Sequence, residues 1–579
     1  MRTMPLRTNP RKRRGAAAAL AICLLAAGVP ARAQQAQDST VVSTALSQPA
    51  SAPEVEVREN AIQLSIDQAI EIAMRHNLGL IAERYTRTQR RLGITQSLGI
   101  YDLFTQAGIS ATDRESAVFD VTQAAASNSQ NAQFSFRQLL PTGGELELGV
   151  SGNRFESNAQ SRQAGVTYGS GLDFSFTQPL LRNFGRLATE RNLVIARTNS
   201  RVSGEEFERQ VTVTIQQVVN AYWNLVGSRE QLGVARQSLA LARQLHDRNR
   251  IQVEVGTLAP LELVQSEAAI ATNEEDIIRT TSNVGDAEDE LRRLLNLPPG
   301  PLWATPIVPT TNPDLQERLN PNLEQAILTA YSERPELRVL ELQLEQSRFD
   351  AEFQRGQLRP DLNLVVDYGY AGVDLEGVGG AYSSLFGLDF PAWTVSLQFS
   401  YPIQNRTARA ASAIANLDVE RIRTQVEDQR SVISTEVRRA VRAVQTAAQQ
   451  IEAARASRQF QERNLDAQQK RYENGMSTSF EITQVQEDLA QALSREVTSR
   501  INYRTALTEY YRATGRLMEQ EGVEIDDPRE PDYASRRFSF SREPLPGEGL
   551  DVGADPFTAQ PVSETQQPAA TQPPTEPQR

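Results

Sequence analysis

The sequence predicts a chain of mixed α and transmembrane β structure built from two internal repeats. Three observations carry that expectation. A tip motif occurs twice, as Gln252-Val253-Glu254-Val255-Gly256-Thr257-Leu258-Ala259-Pro260-Leu261-Glu262-Leu263-Val264-Gln265 and as Arg471-Tyr472-Glu473-Asn474-Gly475-Met476-Ser477-Thr478-Ser479-Phe480-Glu481-Ile482-Thr483-Gln484. In both copies Glu follows Gly by six residues and Gln follows by nine. Two blocks of period-two alternation precede the tips, and each leads into a long helical run. One unit used twice implies a pseudo-symmetric object.

From the N-terminus, Arg2, Arg7, Arg11, Lys12, Arg13 and Arg14 precede an apolar run from Ala16 to Ala27 and an Ala31-Arg32-Ala33 site. Together these predict a secretory signal peptide over 1–33. The single cysteine, Cys23, lies inside it, so the exported chain is expected to have no disulfide or thiol chemistry. Removing 1–33 takes seven basic and no acidic residues, leaving 53 basic against 72 acidic, a balance of −19. That balance argues against a nucleic-acid partner. Residues 34–60, rich in Gln, Ser, Ala and Pro, are expected to be disordered.

The first repeat spans 61–296. Ile62 to Gly99 reads as two helices broken near Asn77-Leu78-Gly79. Strands follow over about 101–178, where Phe134 and Phe136, Leu146, Leu148 and Val150, and Leu172, Phe174 and Phe176 alternate with small or polar residues. Pro141-Thr142-Gly143-Gly144 marks a turn. A Pro-free helical run from Leu187 to Ala259 reaches the tip at Gly256. Residues 297–320 form a Pro-rich linker. The second repeat, 321–517, has strands over about 361–402, with Trp393, Val395, Leu397, Phe399 and Tyr401 facing away from Thr394, Ser396, Gln398 and Ser400. Its helical hairpin turns at Gly475. Residues 518–579 read as a disordered Pro/Gln-rich tail.

An apolar, aromatic-rich face opposite a small polar face suits membrane barrel strands. Taken alone, these strands fit a water-soluble sandwich equally well. No run of about 20 apolar residues follows the signal. An exported chain of that kind can span a membrane only as a closed barrel. About six candidate strands are too few, since the smallest membrane barrels use about eight. Closure must then come from several chains. The thin apolar seams of the helices, with Val218, Tyr222, Leu225 and Val226 in one stripe, also call for neighbours.

The chain resembles the TolC-type outer membrane efflux proteins over nearly all of 60–517. The resemblance rests on the duplicated plan, Asn220-Ala221-Tyr222-Trp223-Asn224-Leu225, Gln178-Pro179-Leu180-Leu181, Val255-Gly256-Thr257 and Tyr472-Glu473-Asn474-Gly475. It implies a homotrimeric outer-membrane β-barrel continued by a long periplasmic α-helical barrel. It further implies a passive duct that meets a periplasmic adaptor (a membrane fusion protein) and, through it, an inner-membrane transporter. The family commonly supplies four barrel strands per chain, so the hairpin over Phe134–Val150 looks additional. We expect it to extend beyond the membrane rather than to enlarge the wall.

Residue by residue, the resemblance assigns Val255, Gly256 and Thr257, and less closely Asn474, Gly475 and Met476, to tips that dock the adaptor. It assigns Glu481 and Gln484 to the gate. The family's best-studied members carry an acid at both places, so Gln484 departs from the pattern and implies milder selectivity. Repeated about a threefold axis, Glu481 would form a ring of carboxylates favouring cations. Glu262 is its equivalent in the first repeat and is expected to latch the closed tip. The plainer reading is that both glutamates sit at helix starts, where the dipole favours acids, and that both glycines only turn the chain.

Nothing in the sequence points to an enzyme or a cofactor. His76 and His246 are far apart with no cysteine partner, and neither a Gly-rich phosphate loop nor a G-x-S-x-G elbow occurs. The other function class compatible with long helices is a periplasmic coiled-coil scaffold or adhesin without a pore.

Overall fold

The computed structural model describes residues 57–58, 61–115, 126–157, 165–298, 300–313 and 319–525. The expected signal peptide over 1–33, most of the expected disordered segment 34–60 and nearly all of the expected disordered tail 518–579 lie outside them.

Strands β1 (Val57–Arg58) and β2 (Ala61–Leu64) lead into α1 (Ile66–His76) and α2 (Leu78–Leu98). Ser65 and Gln68 close a reciprocal capping box on α1, and Asn77 caps α2, so the expected break falls at one polar residue. Strands β3 (Phe104–Glu115), β4 (Ala126–Leu139), β5 (Glu145–Ser157) and β6 (Gly165–Pro179) follow. A short α3 (Arg186–Thr189) precedes α4 (Arg191–Glu254) and α5 (Pro260–Leu295). The Pro-rich connection carries α6 (Pro301–Ala304) and β7 (Ile307–Pro309), which pairs parallel with β2.

The second half repeats the plan: α7 (Leu323–Glu333), α8 (Pro335–Gly356), β8 (Asp361–Asp374), α9 (Val378–Phe386), β9 (Phe390–Ser400), α10 (Arg406–Glu473), α11 (Ser479–Ala513) and a final turn, α12 (Leu517–Gln520). Helix lengths match between halves, with 64 and 68 residues for α4 and α10 and 36 and 35 for α5 and α11. At 1.5 Å per residue α4 and α10 are each about 100 Å long.

Residues of the Asn220–Leu225 run fasten the middle of α4. Tyr222 is fully buried; its hydroxyl donates to the Leu64 carbonyl at 3.0 Å and accepts from the Thr311 amide at 3.0 Å. One side chain thus ties the long helix to the C-terminal ends of the parallel strands β2 and β7. Trp223 stacks edge-on with Tyr222 and lies under the Arg504 guanidinium. In the second half, Ala326, Ala330 and Leu337 pack on Ile433, Val437, Ala440 and Ala513. Arg334, buried at the α7–α8 junction, is held by Glu336 at 3.0 Å and Glu436 at 2.7 Å.

Strands β3-β4-β5-β6-β8-β9 form one antiparallel six-stranded sheet in that order. Its faces separate by chemistry. One cross-strand row runs Thr105, Phe136, Leu148, Phe174, Tyr368, Trp393; the next runs Gln106, Ser135, Gly149, Asp173, Gly369, Ala392. On the polar face, Ser175 donates to Asp367 at 2.7 Å. Helix α9 packs on the apolar face at the end remote from the long helices. It sits so close that a Cβ at Gly372 would meet the Ala381 carbonyl oxygen at 2.0 Å.

The expectation for the hairpin over Phe134–Val150 is corrected here. Strands β4 and β5 pair with β3 and β6 along their lengths, so they are interior strands of the sheet. Their connecting turn lies at the helix end. Thr142 accepts from the Gly185 amide at 2.9 Å through its carbonyl and bonds Gln178 at 2.8 Å through its hydroxyl. Sequence alternation identifies strands but not their neighbours.

Candidate functional site at the helical tips

Both long hairpins reverse through the same backbone device. The Thr257 amide donates to the Gln252 carbonyl at 2.9 Å and Gly256 to Val253 at 3.0 Å. In the second hairpin Met476 donates to Arg471 at 2.8 Å and Gly475 to Tyr472 at 2.9 Å. These are paired Schellman caps, and the central residue must be left-handed. Gly256 has φ +77° and Gly475 φ +73°. A Cβ at either would meet open space, so backbone conformation alone asks for glycine.

Around these turns the side chains differ. Val255 is 67% exposed, and Leu261 and Val264 are exposed nearby. The Thr257 hydroxyl donates to the Gln252 carbonyl at 3.0 Å. Pro260 opens α5, and no side chain caps it. In the second tip Met476 and Phe480 are exposed, and Asn474 donates from its side chain to the Lys470 carbonyl at 2.7 Å. Thr478 caps α11 by accepting from the Glu481 amide at 3.3 Å.

Glu262 and Glu481 occupy the same place, the third residue of α5 and of α11. The two carboxylates reach in different directions. Glu481 accepts from Ser477 at 2.8 Å and from Gln468 at 2.6 Å, so it folds back on its own hairpin. Glu262 crosses to the other hairpin and accepts from the Ser479 hydroxyl. Gln484 lies exposed one turn beyond Glu481. The helix-start reading of both glutamates is thus correct as far as it goes, and each also has a specific partner.

Tyr472, Asn249, Gln468 and Ser479, to which the sequence assigns no role, complete the clasp. The Tyr472 hydroxyl lies 2.7 Å from Asn249 Oδ1 and 2.8 Å from Gln252 Oε1, joining α10 to α4. Burial and then the Glu262 carboxylate push that hydroxyl above the usual tyrosine range. Asn249 is fully buried, and its Nδ2 has no hydrogen-bond partner among the described residues. Arg248 and Glu473 add an exposed ion pair at 3.4 Å. Above the clasp, Leu245, Leu465, Ile482 and Leu489 form an apolar cluster with the Tyr472 ring. A signal for these residues existed. Asn249 continues the stripe of Leu245, and Gln468 falls between Leu465 and Tyr472, so polar residues occupy seam positions just before each tip.

Among the described residues no group of His, Cys, Asp and Glu could hold a metal ion, and no helix is long and apolar enough to cross a membrane. The absence of such a helix says nothing of a β-barrel.

The family model described as outer membrane efflux protein matches residues 123–297 and 326–516, more than half of the chain and one match per repeat. Solved structures share the fold. The CmeC outer membrane channel of Campylobacter jejuni matches with a TM-score of 0.58 at 15% identity, over 81% of this chain and 90% of that one. VceC of Vibrio cholerae, an outer membrane protein, matches with a TM-score of 0.58 at 15% identity, over 78% and 96%. The open state of the Neisseria gonorrhoeae MtrE outer membrane channel matches with a TM-score of 0.57 at 16% identity, over 81% and 97%. No curated protein matches the chain in sequence.

Proposed function

From the premise that the chain belongs to the outer membrane efflux protein family, we propose that it is the outer-membrane channel of a tripartite efflux or type I secretion system. In this reading three copies form a passive duct from periplasm to exterior. The sheets close a barrel in outer-membrane lipid, and the helices build the periplasmic tunnel. A periplasmic adaptor meets the tips and links them to an inner-membrane transporter.

The observation that carries the reading is the split of one sheet into an apolar and a polar face. On β9, Trp393, Val395, Leu397 and Phe399 are all more than half exposed, which in water would be an aggregation hazard. The same row facing acyl chains is the ordinary outside of a membrane barrel. A scaffold without a pore has no use for it.

At the tips, the reading gives Val255, Gly256, Thr257, Asn474, Gly475 and Met476 to adaptor docking. Their exposure suits a surface met by another protein. It gives Glu481, Gln484 and Glu262 to the gate. A threefold set of Glu481 carboxylates would select cations on opening, when the bonds from Gln468 and Ser477 let go. Glu262 would hold the two hairpins of one chain together until then.

The deciding experiment is the native mass of the protein extracted by detergent from purified outer membranes. A stable trimer is expected. A soluble periplasmic monomer would remove the channel reading and leave the scaffold.

A further inference from the structure

We infer that the barrel wall contains six strands from each chain, so that three copies close an eighteen-stranded barrel in which β9 of one copy pairs with β3 of the next. This deepens the trimeric duct proposed above and rests on it.

Strands β3 and β9 flank the sheet, and nearly every residue in both is exposed, whereas the four interior strands are mostly half-buried. Unpaired backbone cannot face lipid, so both edges need a strand partner. In a ring of identical copies the partner of one edge is the other edge of the neighbour. The two are antiparallel, as that pairing requires, because β3 leaves the helix end and β9 returns to it.

The stagger of the sheet then tests whether such a ring can close. The cross-strand row that begins at Phe104, the helix-end start of β3, reaches Thr394 on β9, six residues short of Ser400. At the remote end the row of Phe390 reaches Gly108, seven residues short of Glu115. Both ends drift in the same sense by about one residue per strand. With the helix ends level between copies, this makes the total shear about equal to the strand number. Eight strands with a shear of eight tilt by about 36°, and tilt depends on the ratio of the two. Eighteen strands with a shear near eighteen therefore tilt by about 36°, within the ordinary range of about 35–45°.

The level register sets Phe104 beside Ser400 and Gln106 beside Gln398. It keeps the faces continuous, since Thr105 and Ala107 join Phe399 and Leu397 on the apolar side. The additional pair β4–β5 needs no helix of its own, because its turn is tied through Thr142 to Gln178 and Gly185 at the β6–α4 junction.

Barrel diameter grows roughly linearly with strand number, so this wall would be about half as wide again as one of twelve strands. Each chain still supplies four long helices. Size selection would then fall to the helical tips, not to the barrel.

The test uses the full chain, whose single cysteine, Cys23, lies in the segment expected to be removed on export. A Gln106→Cys/Gln398→Cys variant is treated in outer membranes with a short bismaleimide, which tolerates a register error of two residues. We expect the monomer band to convert to covalent dimers and trimers on a denaturing gel. A second variant, Glu147→Cys/Gln398→Cys, reports a twelve-stranded ring in which β9 meets β5, and it should stay monomeric on the gel. A ladder from the second variant, or from neither while the native mass is that of a trimer, overturns the eighteen-stranded wall. A monomeric native mass instead overturns the trimeric reading itself.

Discussion

The two hairpin tips share a backbone and differ in what their side chains hold. Each reverses through a Schellman cap centred on a left-handed glycine, and each carries a glutamate at the third residue of the returning helix. At the first tip the Thr257 hydroxyl holds the turn through the Gln252 carbonyl, and Glu262 leaves it to reach Ser479. At the second, Gln468, Ser477 and Glu481 knit the turn into its own hairpin. Duplication thus preserved the geometry of reversal and let the polar network diverge. The first tip depends on the second for its tether, whereas the second tip is self-contained. In the proposed channel that makes the α4–α5 hairpin the element released when the clasp breaks, with α10–α11 as the post it leaves.

The largest effect should come from removing the side chain that serves both hairpins. Tyr472→Ala deletes a ring that is 5% exposed, together with the hydroxyl facing Asn249 and Gln252. Losing a buried aromatic side chain costs about 3–5 kcal/mol. Amide hydrogen exchange should accelerate across residues 245–260 far more than across 480–490. Equal acceleration in both would break the comparison, since the second tip would then not be self-contained.

Next in size are the glycines. Gly256→Ala and Gly475→Ala each place a Cβ in a left-handed turn with free space around it. Each should cost about 1–2 kcal/mol, from backbone conformation alone. Because the turns match, the two penalties should agree within about 0.5 kcal/mol in thermal unfolding of the assembled protein, on the usual scatter for independent sites. A clear inequality would mean that one turn already relaxes away from its left-handed state.

Smaller in energy, but sharper for function, are the two glutamates. Glu481→Ala removes one proposed carboxylate ring, and the reversal potential in a salt gradient should shift toward lower cation preference. Glu262→Ala breaks the tether to Ser479 and should raise the frequency of opening, with a smaller change in reversal potential. If the two variants exchange these effects, the assignment of gate ring and tether is reversed.

Much of the fold was legible in the sequence because it is written in periods. Alternation marked the strands, Pro-free runs marked α4 and α10, and Asn77 marked the break between the first helices. The family was legible in the same motifs. Strand neighbours were not, because the alternation of β4 and β5 reads identically for interior strands of the sheet and for a separate hairpin; only the pairing with β3 and β6 decides. At the tips, the glycines and glutamates stood out through repetition. For Tyr472, Gln468, Asn249 and Ser479 the pattern shows at most a polar residue at a seam position, because their partners lie across the turn or on the other hairpin and nothing local names them.

The smallest effect concerns pH and isolates the hydroxyl of Tyr472 from its ring. Burial first, and then the Glu262 carboxylate, raise this phenol above its ordinary value near 10. The clasp therefore favours the neutral form. Its contribution is fully present below pH about 10, where the phenol is protonated whether the clasp is made or broken, and is lost as pH rises through the raised value. Opening of the tip, read by amide exchange at residues 245–260 after correction for the intrinsic rate, should be flat up to pH about 10 and increase from there toward the raised value. In Tyr472→Phe the ring still fills the cluster with Leu465 and Ile482, but no proton remains to be lost. That variant should open somewhat more readily at neutral pH, because Asn249 and Gln252 lose their donor, and should show no alkaline rise. An alkaline rise that survives in Tyr472→Phe would assign it to another group and leave the hydroxyl only a packing role.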